Sequence, residues 1–163
     1  KRLGAYIFST VSTEAKAELA RAAGADQVIL YTQEDFAKSV TEATNGEGVQ
    51  VVYDAVGLTT FDQSLTCLAR RGYMVLYGQA SGAVPPVDPR ALGNGSLFLT
   101  RPGLGDYTVT REELEKRAGD VLGWVSSGEL KLRVDHVFPL SEAPEAHRQL
   151  EGRATTGKVL LIP

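Results

Sequence analysis

VQVVYDAVG at residues 49–57 and RGYMVLYGQ at residues 71–79 are apolar runs built from strand-forming residues, and each runs into a glycine, Gly57 or Gly78. Between them Thr60 and Gln63 have the spacing of a capping box. Phe61, Leu65 and Leu68 then recur at helical intervals as far as Gly72. The reading is strand (Val49 to Tyr53), helix, strand (Tyr73 to Tyr77). Nearly continuous apolar strands joined by a helix are the repeating unit of a parallel sheet with helices on both faces.

The same alternation extends towards the start of the chain. Ala5 to Phe8 reads as a strand, followed by a helical stripe of Ala15, Leu19 and Ala22 that Gly24 ends. Val28 to Tyr31 is the next strand. Thr32 and Asp35 then mark a helix start, with Phe36, Val40 and Ala43 facing inwards before the Asn45-Gly46 turn.

Past Gly78 the pattern loosens. Residues 79–94 hold Pro85, Pro86 and Pro89 and form a long irregular loop, a feature usually functional or flexible. Ser96 to Thr100 is a strand stopped by Pro102; Thr110 and Glu113 open a helix through Leu114, Ala118, Val121 and Val125. Arg133 to Phe138, a helix capped by Ser141, and Lys158 to Ile162 complete the chain. No repeat, low-complexity tract or linker interrupts it.

Composition limits what this fold can serve. The chain of 163 residues has 17 basic and 20 acidic side chains and a net charge of −3, so no basic field favours nucleic acid or an anionic membrane. No apolar run approaches the roughly 20 residues that span a bilayer. The single cysteine, Cys67, excludes an internal disulfide and a cysteine-based zinc cage within the chain. It fits a reducing, cytoplasmic setting.

An open parallel sheet of this kind binds ligands beyond the carboxyl ends of its strands. After the strand ending at Phe8-Ser9-Thr10 comes a turn of hydroxyls, including Ser12 and Thr13, and then Lys16 in the first helical turn. A lysine is electrostatically misplaced at a helix N-terminus unless an anion sits there. The 2′-phosphate of NADPH is such an anion, and this position lacks the acidic residue that would bind the ribose of NAD. The competing reading makes Lys16 a solvated helix residue offset by Glu14. Tyr31 either covers the adenosine end of a cofactor or is simply half-buried. Gly57 and Gly78 either let the backbone approach a ligand or serve ordinary turns.

A dinucleotide-binding fold carries a G-x-G-x-x-G turn after its first strand, and no such turn follows a strand here, despite 17 glycines. Lys1 to Gly4 reads as the end of a preceding helix. The expectation is therefore a Rossmann-type parallel sheet lacking its first strand and glycine-rich loop. His147, on a face with Ala143 and Leu150, reads as a core residue, and Arg70-Arg71 as the basic end of a helix. Neither His136 nor any Ser/His/Asp set or paired carboxylates suggests a catalytic centre within the chain.

AGADQVILYTQEDF (residues 23–36), VVYDAVG (51–57), CLARRGYMVLYGQASG (67–82), GSLFLTRP (95–102) and LEGRATTGKVLLIP (150–163) together resemble NADPH-dependent quinone oxidoreductases of the zeta-crystallin type, in the medium-chain dehydrogenase/reductase superfamily. The resemblance implies the C-terminal half of a two-domain enzyme. Residues 1–130 would be the partial dinucleotide-binding domain, and 131–163 a tail returning to the catalytic lobe. It assigns NADPH contacts to Ser12, Thr13, Lys16, Tyr31, Val56, Gly57, Tyr77, Gly78, Ala80, Phe98, Thr100 and Arg153. Lys16 and Tyr31 would hold the 2′-phosphate, Arg153 would be a second phosphate contact, and Phe98 and Thr100 would lie near the nicotinamide. It further implies a zinc-independent homodimer paired through the strand at 96–100, reducing a quinone. An NADPH-dependent enoyl or alkenal reductase, and a non-catalytic nucleotide-binding or structural fragment, are the alternatives.

In the Rossmann strand order the first strand lies between the second and the fourth, so a sheet without it has unpaired edges at its centre. The 163 residues in isolation are therefore expected to fold poorly. Chemical denaturation followed by circular dichroism and sedimentation tests this, and a monomer with one cooperative transition is the contrary result.

Overall fold

The computed structural model describes residues 1–152 and 154–163. It contains two compact units, Lys1–Gly103 and Leu104–Pro163.

In the first unit, β1 (Phe8–Val11) pairs in parallel with β2 (Gln27–Leu30), and α1 (Glu14–Ala22) connects them. Thr13 caps α1, its hydroxyl oxygen accepting from the Lys16 amide at 3.3 Å. Gly24 takes a left-handed φ of 101° directly after the helix, which glycine accommodates without a Cβ penalty. α2 (Phe36–Ala43) starts at Asp35, whose carboxylate accepts from the Ala37 and Lys38 amides. Thr32 does not cap it; its hydroxyl donates to the Ser12 carbonyl at 3.0 Å.

The second sheet has the order β3-β4-β5, all parallel, with β3 at Val49–Asp54, β4 at Leu68–Leu76 and β5 at Phe98–Thr100. Its inward face, Val52, Met74, Leu76 and Leu99, packs on Phe61 and Leu65 of α3 (Phe61–Thr66) and on Val84 and Val87 of the following loop. Met74 is fully buried. Tyr53, Tyr73 and Phe98 point to the opposite face by the two-residue strand period and are exposed, Tyr53 at 72%. Within this unit, among the described residues, the helix cover lies on one face of this sheet.

Beyond the shared alternation, several local expectations are corrected. The helix after β3 stops at Thr66 instead of continuing to Gly72. Residues 69–72 form an irregularity in β4, where Val49 pairs with Leu68 but Val51 with Tyr73. Arg71 takes a φ of 59° within it, so the Arg70-Arg71 pair is not the basic end of a helix. Residues 79–94 are irregular as expected, apart from α4 (Arg90–Gly93).

The two sheets of this unit are joined by side chains. Ile29 of β2, Val40 of α2 and Cys67 form one buried cluster, against which Phe8 of β1 and Val49 and Val52 of β3 pack. Among the described residues β1 hydrogen-bonds only to β2, and β3 only to β4. The orders β2-β1 and β3-β4-β5 match strands 3-2 and 4-5-6 of the Rossmann order 3-2-1-4-5-6.

The second unit contains α5 (Arg111–Ser126), whose Thr110 and Glu113 form the expected capping box. β6 (Val134–Pro139) and β7 (Lys158–Ile162) pair in parallel, connected by a 3-10 turn (Leu140–Glu142) and α6 (Ala143–Glu151). Ser141 lies within that turn and does not cap α6. Ala146 is the buried residue of α6, and His147 beside it is exposed, so the core role expected for His147 is not met. No helix among the described residues is long and apolar enough to cross a membrane.

Burial pushes the Cys67 thiol pKa up to about 11, with the charge of Asp35 adding to the effect. Since the thiolate is the reactive species, Cys67 should resist a disulfide reagent such as DTNB at pH 8 until the core opens. Rapid stoichiometric labelling of the native protein would contradict this packing.

Candidate nucleotide site

Parallel pairing brings the turns after successive strands together. Val11 pairs with Leu30, so the Ser12-Thr13 turn lies next to Tyr31. The Tyr31 amide donates to the Val11 carbonyl at 3.2 Å, and the Thr32–Ser12 bond fastens the next step. Lys16 is the third residue of α1, half-buried, and has no ion-pair partner among the described residues. Glu14 is engaged elsewhere: it accepts from Arg21 at 2.7 Å, alongside Glu18. One positive side chain, two hydroxyl residues and an exposed tyrosine thus meet at one end of the β1-β2 pair, beside the positive end of a helix dipole. That donor set suits an anion attached to a flat ring.

The turns after β3 and β4 are fastened more tightly. The Tyr77 and Gly78 amides donate to the Asp54 carbonyl at 2.9 and 3.3 Å, and the Ala80 amide to Ala55 at 3.1 Å. The amide and hydroxyl of Ser81 both donate to the Val56 carbonyl, at 2.8 and 2.7 Å. A Cβ on Gly78 would stand 2.4 Å from the Ala55 oxygen, and one on Gly57 would stand 2.9 Å from the Gly82 oxygen. Gly57 also has a φ of 86°. Both glycines are therefore required by the approach of one turn to the other. Val56, Tyr77 and Ala80 remain exposed along this double turn.

Behind the double turn lies a group that local pattern reading misses. Asp54 is 4% exposed. Its Oδ1 accepts from the Val56 and Gly57 amides at 2.7 and 2.9 Å, and its Oδ2 from the Thr60 and Ser64 hydroxyls at 2.7 and 2.9 Å. Thr60 makes no side-chain cap on α3. The Thr60/Gln63 spacing imitates a capping box, and the only sequence signal for the true arrangement is an aspartate ending an apolar strand just ahead of Gly57, Thr60 and Ser64.

The remaining expected residues are distributed differently. Phe98 is in register with Tyr73 and stacks on it, with ring centroids 4.6 Å apart and planes 10° from parallel. Tyr73 lies four residues before Tyr77, roughly 13 Å along the strand, so Phe98 stands well back from the double turn. Thr100 pairs with Val75, nearer to it. Arg153 lies outside the described residues. Among the described residues no group of three His, Cys, Asp or Glu side chains is arranged to hold a metal.

The chain is similar over its full length to quinone oxidoreductase 1 of Escherichia coli strain K12, with 47% identity, and spans 51% of that protein. It is 44% identical to a 2-haloacrylate reductase of Burkholderia sp., again over its full length and over 50% of that protein. Among solved structures, the E. coli quinone oxidoreductase complexed with NADPH matches 99% of this chain and 51% of its own, with a TM-score of 0.94 and 46% identity. The chain thus spans about half the length of these relatives. The model of the zinc-binding dehydrogenase family matches residues 23–161, and the chain belongs to that family.

Proposed function

We propose that this chain is the cofactor-binding part of an NADPH-dependent oxidoreductase that reduces a quinone. The observation that carries the reading is the cluster at the end of β1 and β2, where Lys16 at a helix N-terminus has no described carboxylate to neutralise it. Ser12, Thr13, Lys16 and Tyr31 would hold the adenosine 2′-phosphate, with Arg153 as a further contact. Val56, Gly57, Tyr77, Gly78 and Ala80 would line the crevice beyond, and Thr100 would lie closer to it than Phe98. Bound NADPH would supply the hydride; the residues of this chain would bind and orient it and shield it from water. The substrate-binding groups would come from a catalytic lobe to which residues 131–163 return, with 1–130 forming the nucleotide domain.

A second reading, reduction of an activated alkene on the same cofactor, is favoured by the similarity to a 2-haloacrylate reductase. The resemblance to zeta-crystallin-type enzymes makes zinc independence part of the proposal, although the family takes its description from zinc. Pairing of the strand at 96–100 with its copy would form a homodimer, and a cytoplasmic setting accords with the single cysteine.

Lys16 gives the direct test. A charge-assisted contact to phosphate contributes about 1.5–3 kcal/mol, so Lys16→Ala should weaken NADPH binding roughly tenfold to a hundredfold. NADH binding should be unchanged. Equal affinity of the unmutated polypeptide for NADPH and NADH, measured by fluorescence titration, would refute the cofactor assignment. Turnover of 1,4-benzoquinone against 2-chloroacrylate in the full enzyme separates the two substrate readings: the proposal expects the quinone to be faster.

A further inference from the structure

We infer that Asp54 is the positioning residue of the cofactor crevice, setting the side chain of Val56 towards the nucleotide; this rests on the cofactor reading above. Asp54 is buried and accepts four hydrogen bonds, two from the backbone of its own turn, one from Thr60 just ahead of α3 and one from Ser64 within it. The carboxylate thereby links the end of β3, the 55–57 turn and the first half of α3 into one body. It uses the amides of Val56 and Gly57 inwardly, while the Val56 carbonyl is taken by Ser81 and the Gly57 carbonyl accepts from the Thr60 and Phe61 amides at 3.0 and 2.9 Å.

The consequence is chemical. A glycine-containing turn at a strand end ordinarily offers amides to a phosphate. Here the amides of Val56 and Gly57 are committed to Asp54, and the group left facing outwards is the partly exposed Val56 isopropyl. The turn is built to place an apolar contact against a ring or ribose, and the carboxylate behind it keeps that contact in place without touching the ligand. The glycines serve the same arrangement, since Gly78 can lie against Ala55 only without a side chain.

The test is a double-mutant cycle in the polypeptide that carries this chain, read by NADPH titration and by the KM values for NADPH and quinone. Asp54→Ala should raise the NADPH Kd and KM at least tenfold and leave the quinone KM within twofold. Asp54→Asn, which keeps an oxygen for both amides while Thr60 and Ser64 rotate to accept from its NH2, should restore binding to within about threefold. In a Val56→Ala background Asp54→Ala should add less than threefold, because the group it positions is gone. An unchanged NADPH Kd in Asp54→Ala, or fully additive effects with Val56→Ala, overturns the inference. Should Asp54→Ala fail to fold, Thr60→Val and Ser64→Ala each remove one bond and should raise the Kd twofold to fivefold; no change in either overturns it. Failure of the unmutated protein to bind NADPH refutes the cofactor reading and the inference with it, whereas binding unaffected by these variants refutes the inference alone.

Discussion

A carboxylate withdrawn from water must be neutralised or fully hydrogen-bonded, because its desolvation costs several kcal/mol. Asp54 meets that demand with four donors, and much of the local architecture follows. The amides of the turn must point back towards β3, α3 must begin with hydroxyls at positions 60 and 64, and the chain must pass through a left-handed glycine at 57. The neighbouring turn then closes on the outward carbonyls, which requires the absence of a side chain at Gly78. One charge therefore determines the shape of two turns.

The sheets obey a different constraint. Parallel strands are stable when both edges are paired and both faces covered. β1 and β3 each have one hydrogen-bonded partner among the described residues, and the outward face of β3 to β5 exposes Tyr53, Tyr73 and Phe98. What holds the two sheets together is the cluster of Ile29, Val40 and Cys67, an apolar contact without direction. Backbone hydrogen bonds specify register; side-chain burial of this kind does not. The strand order leaves β1 and β3 each on an edge among the described residues, and the chain spans about half the length of the relatives it matches.

Most of the element order is legible in the sequence because apolar runs, capping residues and glycines act locally. The Thr110/Glu113 box performs as its spacing suggests, whereas at α2 the cap is Asp35 and not Thr32. At Thr60 and Leu68 a local signal is captured by a partner distant in sequence or by strand pairing. Thr60 has the spacing of a cap but bonds to Asp54, and Leu68 has the spacing of a helix but pairs with Val49. His147 shares its helix face with Ala143 and Leu150, but Ala146 is the buried residue of the helix. Of the candidate site, the position of the hydroxyl-lysine turn and both glycine turns at strand ends is legible in the sequence. The support behind them is not, because four hydrogen bonds to one carboxylate leave no periodic trace.

The acids around Lys16 illustrate how helix geometry selects ion-pair partners. Glu14 and Lys16 are two residues apart, and residues at that spacing do not face each other on a helix. Glu14, Glu18 and Arg21 lie at spacings of four and three, along one face, and both carboxylates converge on the Arg21 guanidinium. Both acids two residues from Lys16 are thus directed to another cation by the helix repeat itself. Lys16 lies in the first turn of α1, next to Ser12, Thr13 and Tyr31, at the positive end of the helix dipole.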